Sequence, residues 1–250
     1  MLIYPGFGLA TTLLIAYEEK ESPPYNYSVG SGLHGNTQRP GVTLEVLNMI
    51  SKRLGFKIKY IRFPWARGLI KLELNEIDAL FHASFKKARR RIGVYPMKGR
   101  EPDTERMVMT QSYSLYKHKD SPLSWDGKQF KHLSGSIGAL INYAIVGDLK
   151  KLGVKVEEAS YPLSLLNRVE NGRLAGLANL DIMTDVLISN HNKSLVNIVK
   201  ISPPLKVKAY YLIFSHGFFK KNSKLAHAIW HALKTMKTSG EYDAILKSYQ

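Results

Sequence analysis

The segment from residue 40 to residue 96 restricts the fold of this chain more than any other part, because helix and strand patterns alternate along it. Apolar residues recur at helical spacing between Leu44 and Leu54, which predicts a first helix there. Thr43 is expected to cap the start of this helix, and Gly55 to end it in the left-handed conformation.

Two strand patterns follow in the same segment. Residues 56–60 alternate apolar and charged side chains, which is the pattern of a strand with one face in water, and Pro64 ends it. A second helix is predicted from Ala66 to Leu74, and the apolar run 77–81 suits a strand buried between helices. This alternation predicts crossover units and an α/β fold with a mainly parallel sheet.

The ends of these two strands are the first candidates for a binding site, because ligands of parallel sheets bind at the carboxyl ends of the strands. The first strand leads into Phe63-Pro64-Trp65 and the second into His82-Ala83-Ser84.

The order of motifs resembles that of the periplasmic solute-binding proteins of ABC transporters, in particular the amino-acid-type family 3. The resemblance rests on R-L-G, a strand, P-W-x-R, a leucine-rich helix, I-D-A and S-F-x-x-x-R, and it extends with gaps from about Leu13 to the end. The final S-G-E-Y-D-A-I-L-K-S-Y is similar to the family's G-x-Y turn and last helix. The resemblance implies a two-lobed, type II periplasmic-binding-protein-like α/β fold, in which each lobe is a mostly parallel sheet flanked by helices.

The resemblance also implies a domain organisation with two hinge crossings. Lobe 1 is expected to comprise residues 1–113 and 210–250, and lobe 2 residues 114–209. Lobe 2 repeats the alternation of helices and strands, and one further helical turn is predicted at residues 185–189. A strand from Lys206 to Phe214 is predicted to return the chain to lobe 1.

A small carboxylate needs a fixed cation in a cleft that excludes water, and arginine suits this role because its planar fork binds both oxygens. The resemblance gives this role to Arg89 and adds the hydroxyl of Ser84. Lys86 stands where the family has threonine, and a shift of one residue would exchange Arg89 with Arg90.

Four more lobe 1 residues fall at ligand positions of the family, and Arg67 is a further candidate. Trp65 is expected to stack on the ligand, with a core tryptophan as the alternative. His82 replaces a small residue and would narrow the pocket, recognise an acidic group, or simply pack at the strand end. Glu18 and Tyr25 match a polar residue and a proline–aromatic pair, and Arg67 is expected to pair with Glu18 or face the ligand.

In lobe 2 the matches are less regular. Asn142 and Tyr143 replace a glycine–threonine pair before a helix whose free N–H groups can hold a carboxylate. The family's amine-binding aspartate should fall near Leu180, but Asn179 lies one position earlier and Asp181 one later. The sequence therefore leaves open whether the ligand is an α-amino acid.

Other functions lack the patterns that they need. The net charge of +16 comes from lysines scattered along every predicted element, and no nucleic-acid recognition motif is present, so no nucleic-acid partner is expected. The G-x-G-x-x-G pattern at residues 30–35 has Arg53 where a dinucleotide site needs an acid, so it is interpreted as a loop and no cofactor is predicted. His227 and His231 lack a third ligand, so neither a metal nor a catalytic site is predicted.

The sequence thus predicts an extracytoplasmic binding protein that is not an enzyme. A small polar ligand, an amino acid or related carboxylate or amine, would be captured by hinge closure between the lobes and delivered to the membrane permease of an ABC transporter. A monomer in the periplasm is expected, with residues 1–10 either a truncated signal peptide or an extension. The alternatives are a sensing module of the same fold, an enzyme on this scaffold, and a binder of nucleic acid or lipid.

Overall fold

The computed structural model describes residues 11–27 and 39–249. The chain forms two compact units, unit 1 (Met1–Met109 and Ala209–Gln250) and unit 2 (Thr110–Lys208). The signal-peptide hypothesis at residues 1–10 and the glycine pattern at residues 30–35 concern parts outside the described residues. Within the described part, no helix is long and apolar enough to cross a membrane.

Unit 1 begins with the alternating strands and helices that the segment from residue 40 predicts. Its elements before the chain enters unit 2 are β1 (Thr12–Glu18), α1 (Val42–Leu54), β2 (Lys57–Phe63), α2 (Trp65–Glu73), β3 (Ala79–Ser84), a 3-10 helix (Lys87–Arg91), β4 (Met97–Lys98), β5 (Glu101–Pro102) and a second 3-10 helix (Thr104–Arg106).

The chain passes between the units twice, within β6 (Met109–His118) and within β12 (Ile198–Phe214). These two strands are the first and the last of the next ten elements. The ten elements are β6 (Met109–His118), β7 (Ser124–Trp125), β8 (Phe130–Lys131), β9 (Ile137–Leu140), α3 (Ala144–Lys151), β10 (Val156–Ala159), α4 (Pro162–Glu170), β11 (Gly176–Leu180), α5 (Asp181–Asn190) and β12 (Ile198–Phe214). The helices α6 (His216–Thr238) and α7 (Glu241–Lys247) then complete unit 1.

Each unit has a mixed sheet that is mainly parallel. In unit 1 the strand order is β12-β3-β1-β2, with β1 parallel to β2 and β3 and with β12 antiparallel to β3. In unit 2 the order is β10-β9-β11-β6-β12, with β9 parallel to β10 and β11 and with β6 antiparallel to β11. The carboxyl ends of the parallel strands therefore meet at one edge of each sheet.

Burial of apolar side chains explains why the helices pack against these sheets. In unit 1 the side chains of Leu13, Ile15 and Leu80 are almost completely inaccessible to water, and Trp230 of α6 donates its indole N–H to Leu212 O at 2.8 Å. Each fully buried aliphatic side chain contributes roughly 1.5–3 kcal/mol. The sheet thus gives the strand ends, and the side chains on them, a rigid support.

The start of α1 differs from the sequence prediction. Gly41, not Thr43, is the N-cap, and Thr43 lies buried inside the first turn. Gly41 has a φ of 124°, and a Cβ at this position would lie 2.4 Å from Tyr25 O. Close approach of two backbone segments therefore requires glycine here, while Gly55 ends the helix at a φ of 73° as predicted.

Two further elements are longer than predicted. The turn expected at residues 185–189 is part of the helix α5, and the strand expected from Lys206 is the end of β12. The first half of β12 contains Pro203 and Pro204, and proline cannot donate a ladder hydrogen bond, so the sequence pattern of a strand is weak there. Both prolines lie in an exposed part of the strand, where that donor is not required.

Candidate functional site

A buried arginine lies just beyond the end of β3. Arg89 sits in the 3-10 helix that follows the strand and is only 4% exposed. Its Nη1 donates to both oxygens of Ser84, at 2.9 Å to the carbonyl oxygen and 3.0 Å to Oγ. Strand end and helix thus hold one side of the guanidinium in a fixed orientation.

Burial distinguishes Arg89 from the two arginines that follow it. Arg90 and Arg91 are exposed, whereas Arg89 is buried. The carbonyl oxygen of Arg90 lies 2.9 Å from Nε2 of His216, and the Arg91 guanidinium lies 3.7 Å from Glu73. The short 3-10 helix therefore separates one inward-facing guanidinium from two that face water.

Trp65, the first residue of α2, forms the wall beside Arg89. The guanidinium carbon lies 5.3 Å from the centre of the indole ring, within cation–π range. The indole nitrogen Nε1 is buried and has no hydrogen-bond acceptor among the residues that the structure describes. Ser84, Trp65 and Arg89 are therefore brought together, and Arg89 itself occupies part of the ring face predicted to stack on a ligand.

Tyr95 also belongs to this cluster, although no sequence pattern indicated it. Its hydroxyl donates to Ser84 O at 3.0 Å. Burial raises the pKa of Tyr95 to about 12, although the nearby charge of Arg89 acts in the opposite direction. Tyr95 is therefore a neutral donor near neutral pH.

His82 owes its position to an irregularity in the pairing of β3 with β12. The register shifts between Tyr211 and Ile213, so two residues of β3, Phe81 and His82, oppose one residue of β12. Such a bulge redirects side chains, and His82 has a φ of 63°. His82 Nε2 lies 2.8 Å from Thr43 Oγ1, a contact that the sequence did not predict.

The charge state of His82 follows from its surroundings. The imidazole is in edge contact with the rings of Phe81 and Tyr25, at centroid distances of 4.7 and 6.1 Å. Burial lowers its pKa to about 3, because the charged form loses its hydration there. His82 is thus a neutral hydrogen-bonding group near neutral pH.

The remaining unit 1 candidates lie around this edge of the sheet. Glu18 is the last residue of β1, is half-buried and pairs in register with Phe63. Tyr25 is half-buried, and burial raises the pKa of its phenol. Arg67 is exposed, with its guanidinium carbon 5.4 Å from the Phe63 ring centre.

In unit 2 the residues before α3 form a tight turn. Asn142 is exposed and has a φ of 62°, in the left-handed region that asparagine tolerates better than most residues. Tyr143 is the N-cap of α3, is nearly buried and donates its backbone N–H to Leu140 O at 3.1 Å. Residues 141–143 thus lead from β9 into the first turn of α3.

Asn179 is completely buried near the end of β11. Its amide nitrogen donates to Thr184 Oγ1 at 3.0 Å, and Thr184 donates to Leu180 O at 2.8 Å. Its other amide atom, Oδ1, is buried and has no hydrogen-bond partner in the part of the chain that the structure describes. Asn179 is thus tied to α5 and offers one acceptor.

Asp181 opens α5 next to this amide. It lines a pocket of about 140 Å³ together with residues 110–112 of β6 and Ile182. Burial raises the pKa of its carboxyl group, while a hydrogen bond from Ser114 and the charge of Lys200 oppose that shift. The carboxyl group of Asp181 thus lies one residue after Leu180, the position at which the resemblance implies the amine-binding aspartate.

One histidine of the pair His227 and His231 in α6 packs among aromatic rings. His227 packs with its ring edge against Phe219 and Trp230, at centroid distances of 5.5 Å. Over the described ranges, no group of three His, Cys, Asp or Glu residues could hold a metal ion. His227 is therefore part of an aromatic cluster.

The fold and the strand-end arginine define an α/β protein of the periplasmic-binding-protein-like class. The family model for bacterial extracellular solute-binding proteins, family 3, matches residues 14–250. The chain belongs to this family, so the predicted family and fold class are confirmed. A comparison of the sequence with curated proteins finds no match.

Solved structures with different roles share this fold. A histidine kinase sensor domain with similarity to periplasmic binding proteins has a TM-score of 0.73 at 15% identity, with 96% of both chains covered. The amino acid ABC transporter substrate-binding protein AbpA from Streptococcus pneumoniae, bound to L-arginine, has a TM-score of 0.69 at 14% identity, covering 95% of this chain and 94% of its own. The GluR0 ligand-binding core from Nostoc punctiforme, in complex with L-glutamate, has a TM-score of 0.68 at 15% identity, covering 95% and 98%.

Proposed function

We propose that the protein binds a small polar ligand with a carboxylate group and that Arg89 is the charge partner of this group. The observation that carries the proposal is the burial of the Arg89 guanidinium in a fixed orientation beside Ser84 and Trp65. A guanidinium that is already desolvated and oriented loses little further freedom when it binds a carboxylate. L-Arginine and L-glutamate, bound by two proteins of this fold, share a carboxylate but differ in side-chain charge.

The remaining candidates would set ligand specificity. In lobe 1, Trp65, Tyr25, the neutral His82 and the polar groups Glu18 and Arg67 would surround the part of the ligand beyond its carboxylate. In lobe 2, Asn142 and Tyr143 at the start of α3 and Asn179 on β11 would complete the contacts. Asn179 Oδ1 suits a ligand donor, such as an amine or a hydroxyl, because it is a buried acceptor.

Hinge closure would convert binding into a signal. Lobe 1 (residues 1–113 and 210–250) would hold the carboxylate, and lobe 2 (residues 114–209) would close on the ligand about the crossings in β6 and β12. A ligand that contacts both lobes stabilises the closed form by its differential affinity for that form. The family is extracellular, so we place this event in the periplasm, where a monomer would deliver the ligand to the permease of an ABC transporter.

A sensing role is the second candidate, and the histidine kinase sensor domain of this fold favours it. Capture of the ligand would be the same, but the closed form would be read by a receptor or kinase instead of a permease. Co-purification of the protein with membrane components, with and without ligand, separates the two roles.

An enzymatic role is not supported by the acid–base chemistry of the site. A general base acts best when its pKa lies near the working pH. Burial lowers the pKa of His82 to about 3 and raises that of Tyr95 to about 12, so neither group exchanges protons readily near neutral pH. We therefore propose a binding protein in which His82 and Tyr95 act as hydrogen-bonding groups.

The carboxylate assignment is tested by comparing each acid with its carboxamide. Amino acids, polyamines and small organic acids are screened by thermal shift, and a ligand at a hundred times its Kd should stabilise the protein by about 2.7 kcal/mol. For a ligand such as L-arginine, the α-carboxamide should bind at least tenfold more weakly. Equal affinity of acid and amide would contradict the assignment, and this comparison needs no variant.

Variants then identify the cation. Arg89→Ala should abolish binding, whereas Arg90→Ala, which removes a neighbouring exposed guanidinium, should bind as the parent does. Arg89 is buried, so its variant is first checked by circular dichroism. A folded Arg89→Ala protein with parental affinity would assign the carboxylate to another residue.

A further inference from the structure

Unit 2 has a second pocket, at the edge of its sheet opposite to Asn142 and Asn179. Loops that lead into β9 and β11 and the turn after β6 line a cavity of about 380 Å³. Because β9 and β11 run parallel, they enter from this edge and leave at the edge that carries the candidate ligand residues. The pocket is therefore separate from the proposed ligand site and does not depend on it.

One wall of this pocket offers adjacent backbone donors. The N–H groups of Ser134, Gly135 and Ser136 have no hydrogen-bond acceptor among the described residues. Gly135 has a φ of 93°, and a Cβ there would meet nothing within 4 Å, so the backbone faces open space. Successive unbonded N–H groups around a left-handed residue form a concave site that attracts anions.

The loop before β11 adds a positively charged residue to the lining. Arg173 is exposed, and its guanidinium has no ion pair or hydrogen bond within the part of the chain that the structure describes. Lys117 Nζ donates to the carbonyl oxygen of Ser121, another lining residue, which brings a second cation to the edge of the pocket. The Arg173 guanidinium and the backbone N–H groups together provide the donors that a small oxyanion requires.

Two carboxylates lie nearby, fewer than the cations around the pocket. Asp120 lines the pocket and is 3.6 Å from Nδ1 of His118. Glu157 accepts a hydrogen bond from the Ser136 hydroxyl and is paired with Arg168. The cations of Lys117, Arg168 and Arg173 outnumber the carboxylates of Asp120 and Glu157.

We infer that this pocket is a binding site for a small oxyanion, free or as the anionic group of a larger molecule, held by Arg173 and the N–H groups of residues 134–136. Phosphate, sulfate and carboxylate share the required chemistry. A cavity of about 380 Å³ lies within the usual size of small-molecule sites and exceeds what the anion alone needs.

Residue-resolved NMR of the full chain tests the inference. Sodium phosphate, sulfate and acetate are titrated separately at ionic strength held constant with sodium chloride. Saturable shifts of the amide signals of residues 134–136, with one common Kd, are expected for at least one anion. The three titrations identify which oxyanion the site prefers.

Matched arginine variants complete the test. Arg173→Ala should weaken the anion affinity at least tenfold, whereas Arg100→Ala, at an exposed arginine of unit 1, should leave it unchanged. Arg89→Ala should also leave it unchanged, which separates this site from the proposed ligand site. Three results would overturn the inference. The chemical-shift changes could fail to saturate, they could spread over the amide signals of the lysines, or they could persist with the same Kd in Arg173→Ala.

Discussion

At the residue scale, a few buried polar groups carry the functional argument. Arg89 and Ser84 are held together by hydrogen bonds that need no external partner, so the guanidinium is oriented before a ligand arrives. His82 is held in a left-handed conformation by a bulge and is kept neutral by burial. Strained and desolvated residues at a strand end are typical of binding sites.

The neutral state of His82 predicts a pH dependence of stability. The folded-state pKa is lowered to about 3 from the ordinary value of 6.5, so the unfolded chain binds more protons between these limits. The contribution of His82 to the free energy of unfolding is therefore full above pH 6.5 and is lost as the pH falls toward 3. Each pKa unit corresponds to about 1.4 kcal/mol.

Urea unfolding at pH 4 and pH 7 measures this dependence. His82→Asn should reduce the loss of stability at pH 4, because asparagine tolerates the left-handed backbone and does not titrate. His231→Asn, at an exposed histidine of α6, is the control and should behave as the parent does. An unchanged pH dependence in His82→Asn would show that other groups cause the loss.

At the element scale, the start of α1 is fastened by a residue from the other end of the chain. The Tyr249 hydroxyl accepts from Gly41 N at 3.0 Å and donates to Glu45 Oε1 at 2.5 Å. The Arg39 guanidinium carbon lies 4.1 Å from the Tyr249 ring centre. Because α1 also carries Thr43, the partner of His82, this contact helps to place one side of the candidate site.

Tyr249→Phe should therefore destabilise unit 1 by about 1–3 kcal/mol, since it removes both hydrogen bonds and leaves the Gly41 N–H buried without an acceptor. Urea denaturation measures the change in the free energy of unfolding. Tyr161→Phe, at a tyrosine that is 65% exposed, should change it by no more than about 0.5 kcal/mol. Similar values for the two variants would exclude a fastening role for Tyr249.

At the scale of the whole molecule, two strands carry the chain between the units. β6 spans the first change of unit, between Met109 and Thr110, and β12 spans the second, between Lys208 and Ala209. Two extended crossings of this kind can absorb the small dihedral changes of a hinge. The proposed function uses them as the axis of closure.

Small-angle X-ray scattering tests this closure. A saturating amino acid identified in the thermal-shift screen should lower the radius of gyration, because the closed form is more compact than the open form. Its carboxamide at the same concentration should not. A radius of gyration that stays constant while calorimetry shows saturated ligand binding would contradict hinge closure. The proposal of a ligand-binding site would still stand.

The sequence by itself determined the periodic features of this protein. Residues 40–96 specified two helices and two strands, since apolar spacing reflects which face of an element is buried. The order of motifs also indicated the family that the family model then identified. The resemblance to that family gave the carboxylate role to Arg89 with Ser84 beside it and left Arg90 as the alternative, because the motif lies within one strand and turn.

Only the tertiary structure decided the contacts between distant residues. Gly41 caps α1 because Tyr25 approaches it, His82 is neutral because its neighbours exclude water, and Tyr95 reaches Ser84 across the sheet edge. The Gly41–Tyr249 hydrogen bond joins residues 208 positions apart, and no local sequence pattern can predict such a contact. Local propensity fixes the elements, but desolvation and pairing depend on which surfaces meet when the chain is folded.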